Sequence, residues 1–217
     1  MAGWQPRHLI VLLVGFSASL IVSSTFVGPS LTYQAQPIVQ QMLIVFLLPT
    51  TATLIYLVIR SLQKRQQLVA DAMNPDPAVQ SIVFWILLFL IGVHLMVLTV
   101  LVGVRAVQPW ASRAVVMLGG FTLVAIGNLL PRTRPNVVLG IRTQRTLADR
   151  RVWMPLHRGG GYICVSVGIF TLLTTVFLSG PTVAGLSGAA SFAGALIMCA
   201  YYRRLAHVAH PPRGTQG

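Results

Sequence analysis

The chain has 217 residues, 55% of them hydrophobic and only 9% charged, with a mean hydropathy of +0.76. Apolar runs of roughly twenty residues recur along it, which excludes an ordinary soluble domain and implies one all-α membrane bundle, a single domain over 1–217. The net charge of +13, from sixteen Lys and Arg against three acids, reads as topology and not as nucleic-acid binding, because basic residues collect on cytoplasmic loops and these arginines lack interleaved stacking aromatics.

The first expected span is 9–27, read as a retained helix because the run is long for a signal peptide. An uncharged connection leads to the second span, 42–59, where Pro49 removes a backbone donor and frees a carbonyl. Arg60, Lys64 and Arg65 follow at once and are expected on the cytoplasmic side. Asn74-Pro75-Asp76-Pro77 forbids helix and leads into the third span, 81–103.

His94 lies near the middle of that third span. An ionisable side chain at such depth is a candidate proton relay or ligand contact. The competing reading is a neutral imidazole bonded to a carbonyl or hydroxyl of a facing helix, since no span offers an acid to partner it.

Arg105 and Arg113 flank a connection assigned to the outside, with Trp110 as an interfacial anchor. The fourth span, 114–130, contains Gly119, Gly120 and Gly127, which permit close helix approach. Spans five and six, 162–178 and 183–202, form a hairpin about Ser179-Gly180-Pro181, and Gly185, Gly188, Ala189 and Gly194 predict tight packing there. Cys164 and Cys199 have no metal-ligand spacing, and His207 with His210 lacks a third ligand, so neither a metal nor a cofactor is expected. Six spans with both termini cytoplasmic bring the basic clusters at 60–65, 132–158 and 203–213 to one side, the cytoplasmic one.

The long polar stretch is Gly127 to Gly161, which holds seven arginines. Asn128 closes the fourth span, Pro131 and Pro135 stop the helix, and Arg132, Arg134, Arg142 and Arg145 sit where anionic lipid headgroups are. Thr146 with Asp149 reads as a capping box opening a short helix to Trp153, with Leu147, Val152 and Trp153 as an apolar edge on the membrane surface. Pro155 separates Trp153 from His157, and Gly159-Gly160-Gly161 supplies freedom where the chain re-enters the bilayer as the loop 131–161 ends. No acid or nucleophile accompanies His157 beyond Asp149, so an enzyme is not expected.

Gly127-Asn128-x-Leu130-Pro131, Arg134-Pro135-Asn136, Gly140-Ile141-Arg142-Thr143, Thr146-Leu147, Val152-Trp153 and His157-Arg158, in that order, resemble the signature of the SdpI family of bacterial multi-pass membrane proteins. The chain departs from it at Gln144-Arg145, where family members commonly carry Pro-Trp, and at Met154-Pro155-Leu156. The resemblance implies a protein of the bacterial cytoplasmic membrane that gives immunity to a membrane-active peptide toxin or signals by holding a cytoplasmic regulator. It singles out Asn128, Pro131, Arg134, Asn136, Gly140, Arg142, Thr143, Thr146, Trp153 and His157 as the functional loop. The alternative class is a small transporter or channel component, motivated by His94 and Pro49 inside spans.

Overall fold

The computed structural model describes residues 5–25, 38–70, 76–140, 147 and 150–209. Six helices account for nearly all of them: α1 (Pro6–Thr25), α2 (Ile38–Ala70), α3 (Pro77–Leu101), α4 (Gln108–Leu129), α5 (Arg150–Phe177) and α6 (Gly180–Ala209). A 3-10 turn, Leu130–Arg132, follows α4, and no strand occurs among the described residues. All six helices are long and apolar enough to cross a membrane.

The bundle is antiparallel and sequential, with α3 against both α1 and α2, and α4 joining α3 to the α5–α6 pair. A core of Leu12, Ala52, Tyr56, Val79, Val83, Leu87 and Ile91 fills the space between α1, α2 and α3. Ser19 on α1 ties this half together: its Oγ lies 2.9 Å from Val45 O on α2 and 2.8 Å from His94 Nε2 on α3. Carbonyls only accept, so the arrangement that satisfies most groups has the hydroxyl donating to a carbonyl and His94 Nε2–H donating to Ser19 Oγ, a neutral imidazole.

Helix α2 runs without interruption through buried Pro49 and on through Arg60, Lys64 and Arg65. Its 33 residues span about 50 Å, more than a hydrocarbon layer of roughly 30 Å, so its basic end projects beyond it. Asp76 caps α3, accepting from Ala78 N–H at 2.9 Å, with Pro77 just inside where its missing donor costs nothing.

Helices α4 and α5 pack closest. A Cβ on Gly127 would meet Gly161 O at 2.7 Å, and one on Gly161 would meet Gly127 O at 2.6 Å. Two turns away, a Cβ on Gly168 would meet Gly120 O at 2.7 Å. Gly120 and Gly127 thus admit the facing backbone.

Three features differ from the reading of the sequence. The helix expected to end at Trp153 does not stop there: α5 runs unbroken from Arg150 to Phe177, so residues 154–161, expected as loop, are helical, and Gly159, Gly160 and Gly161 lie within the helix. The expected surface edge is not one: Val152 and Trp153 are buried while Leu147 is exposed, because Trp153, Leu156, His157 and Gly161 recur on one face of α5 and that face is covered. On α6, Gly185 and Gly188 meet nothing within 4 Å and Ala189 is exposed; only Gly194 of the small residues expected to pack tightly does so, against Ile163. The hairpin closes through Gly194, through Met198 against Gly159 and through Thr171 Oγ1 with Ser187 Oγ at 2.7 Å, while most of the other side chains of α6 are exposed.

Candidate functional site

The end of the bundle where α4 stops and α5 starts is built from a strap of chain, residues 133–140, laid across three helix ends. The strap begins where Pro131 halts the helix, and Thr133 closes the 3-10 turn by donating both its N–H (3.2 Å) and its Oγ1–H (2.8 Å) to Leu130 O. Asn136 then shapes the next turn. Its Oδ1 accepts from Val138 N–H at 3.0 Å and Leu139 N–H at 2.8 Å, and its Nδ2 donates to Arg134 O at 2.7 Å. An asparagine is suited to this because its amide carries acceptor and donor together on a short arm.

Two bonds fasten the strap to the helices. Trp153, fully buried on α5, donates its indole Nε1–H to Thr133 O at 3.0 Å. Asp76 donates nothing and accepts twice: one carboxylate oxygen caps α3 and the other takes Arg134 N–H at 2.8 Å. Beyond these points Val137, Val138 and Leu139 pack on the α1–α2–α3 core, so the strap bridges the two halves of the bundle.

His157 follows Trp153 by one turn, and the helix passes through Pro155 without separating them: the rings stack at 3.7 Å between centroids and 14° between planes. His157 Nδ1 is 2.9 Å from Trp153 O, an acceptor only, so Nδ1 carries a hydrogen, and in the neutral imidazole Nε2 is then a bare lone pair. That Nε2 is buried against Gly140 and has no hydrogen-bond partner among the described residues. Gly140 has φ 92, a left-handed conformation, and a Cβ there would run into the imidazole, so both backbone and space require glycine. Beside it lies a cavity of about 250 Å³ walled by Leu130, Gly140, Leu156, Gly160, Met198 and Cys199, among others.

Of the residues singled out from the sequence, Pro131, Arg134, Asn136, Gly140, Trp153 and His157 meet in this one assembly. Asn128 is exposed on the last turn of α4. Arg142, Thr143 and Thr146 lie outside the described residues. His94 belongs elsewhere, on the Ser19 contact between α1 and α3.

Two participants were not singled out, Thr133 and Asp76 as a strap acceptor. His8 is another group outside that reading, buried, with its Nε2 3.1 Å from Gln80 O and its ring beside Tyr56 and Phe84. Nothing local in the sequence marks these roles, since Asp76 and Arg134 are 58 positions apart and His8 and Gln80 72 apart. Arg132, Arg134, Arg150 and Arg158 are exposed around the buried Asn136, Trp153 and His157.

No group of three or more His, Cys, Asp or Glu able to hold a metal occurs among the described residues. Residues 132–202 match the model of the SdpI/YfhL protein family. No curated protein and no solved structure matches the chain.

Proposed function

We propose that this chain, a multi-pass membrane protein that its match over residues 132–202 assigns to the SdpI family, gives immunity to a membrane-active peptide toxin, signals to a cytoplasmic regulator, or does both. In this reading it resides in a bacterial cytoplasmic membrane and acts by binding, without catalysis. The SdpI family is not an enzyme family. The observation that carries the reading is a rigid, buried anchor surrounded by exposed cations: the Asn136, Trp153 and His157 assembly within Arg132, Arg134, Arg150 and Arg158. Such a rim attracts an acidic protein surface and sets its encounter rate and orientation, and it also meets anionic headgroups.

The rim faces the cytoplasm in this reading, by the bias of Lys and Arg toward that side. A cysteine introduced at position 145 and labelled only from outside would overturn that orientation. Immunity is tested by expressing the chain in a toxin-sensitive strain, where survival is expected. Unchanged killing by every such peptide tried counts against it. Signalling is tested separately with an Arg134→Gln, Arg158→Gln pair, expected to keep normal membrane levels while losing capture of a cytoplasmic partner; capture equal to the wild type counts against a docking role for the rim.

A further inference from the structure

The opposite end of α4 carries a second feature, whose α3 and α4 walls precede the family match that begins at residue 132 and whose α6 wall lies within it. A cavity of about 410 Å³ opens between α3, α4 and α6, walled by Val100 and Leu101, Val115 and Val116, and Ala184. Ser112, Gly180 and Pro181 form its edge and also border an adjoining recess that contains Trp110 and Arg113. The first space is almost wholly apolar, while the second holds a cation, with Arg113 Cζ 5.6 Å from the Trp110 ring centroid. The edge is tight as well: a Cβ on Gly180 would meet Ser112 Oγ at 2.7 Å.

Among the described residues no acid lies at this end. The three acids are Asp71, Asp76 and Asp149, in the α2–α3 connection and just ahead of α5, whereas Arg113 lies in the first turns of α4, beyond the α3–α4 connection. A guanidinium beside a wall of Val, Leu and Ala matches a molecule that pairs one anionic group with an apolar chain. The Trp110 ring suits the level where headgroups meet hydrocarbon, which places Arg113 at phosphate depth and the apolar cavity below it.

We propose that this cleft binds one anionic phospholipid, with part of an acyl chain between α3, α4 and α6 and its phosphate on Arg113. A zwitterionic lipid would bring the phosphate together with its own cation, so the anionic headgroup is the better partner for an arginine with no carboxylate beside it among the described residues. This site is distinct from the basic rim at the other end and does not depend on the immunity reading.

The experiment is native mass spectrometry of the intact protein ejected from nanodiscs holding equal amounts of phosphatidylglycerol and phosphatidylcholine. Wild type is expected to retain one more tightly held phosphatidylglycerol than Arg113→Gln. Ala184→Trp, which fills the cavity and leaves the charge in place, should lose the same lipid, and Arg105→Gln, outside the cleft, should keep it. The affinity lost in Arg113→Gln is expected to be roughly tenfold or more, as for a hydrogen bond to a charged group. Equal retention in wild type and Arg113→Gln overturns the proposal, as does loss of the lipid in Arg105→Gln to the same degree. A hydrophobic peptide with a free C-terminal carboxylate that displaces the lipid, where its amidated form does not, would reassign the cleft to a peptide and overturn the lipid assignment.

Discussion

Replacing Gly161 by alanine sets two effects of similar size against each other. Alanine in a helix interior is favoured over glycine by about 1 kcal/mol, so a surface position in α5 should gain stability from the change. At Gly161, however, the new Cβ would lie 2.6 Å from Gly127 O and 3.1 Å from Pro131 Cγ and Cδ. Neither neighbour is the end of a flexible side chain, so α4 and α5 must separate, and overpacking of this kind costs about 1–3 kcal/mol, more where backbone is involved. The clash therefore wins, and Gly161→Ala should lower stability by about 1 kcal/mol or more.

Gly159 is the control, because its Cβ would meet Met198 Sδ at 3.3 Å, an atom on a side chain that can turn aside. Gly159→Ala should be neutral or mildly stabilising. The assay is thermal unfolding of both variants purified in one detergent, read by helical circular dichroism. A Gly161→Ala protein as stable as Gly159→Ala would refute the claim that backbone contact at Gly127 decides the α4–α5 distance.

Trp153→Phe keeps an aromatic ring on His157 but leaves Thr133 O without its indole donor in a buried site, and should cost about 1–3 kcal/mol by the same unfolding assay. Asp76→Asn retains a good helix cap but surrenders one of two acceptor oxygens, so hydrogen exchange at the Arg134 amide should speed by roughly tenfold while α3 stays protected. Ser19→Ala removes the oxygen that His94 Nε2 faces, and a double-mutant cycle with His94→Phe should return a coupling of about 0.5–2 kcal/mol; a coupling of zero would mean that the 2.8 Å contact contributes nothing.

Hydropathy alone reads the six spans, because each needs only an apolar run of sufficient length. It misjudges where α5 starts, since Arg150, Arg151 and Arg158 look like loop residues until one sees that they occupy the outer face of a helix whose inner face is Trp153, Leu156 and His157. Glycine composition is equally double-edged. Gly120 and Gly127 do pack backbone to backbone, while Gly185 and Gly188 on α6 face open space, and a count of small residues cannot tell which side of a helix will be covered. Of the ordered motif from Pro131 to His157, Pro131, Arg134, Asn136, Gly140, Trp153 and His157 lie together in space. The bonds that assemble it, from Asp76 to Arg134 and from Trp153 to Thr133, join residues distant in the chain and depend on how the helix ends are placed.

The glycine pairs between α4 and α5 also fix how these helices can move. Gly120 and Gly127 are seven residues apart, as are Gly161 and Gly168, so the two backbones interlock at points two turns apart and cannot slide or roll past one another singly. The pair is therefore expected to move as one body, with the strap at one end. Arg113 stands sixteen residues before Leu129 on α4, about 24 Å along its axis, so tilting that body at Trp153 and the strap shifts the wall of the Arg113 cleft on the far side.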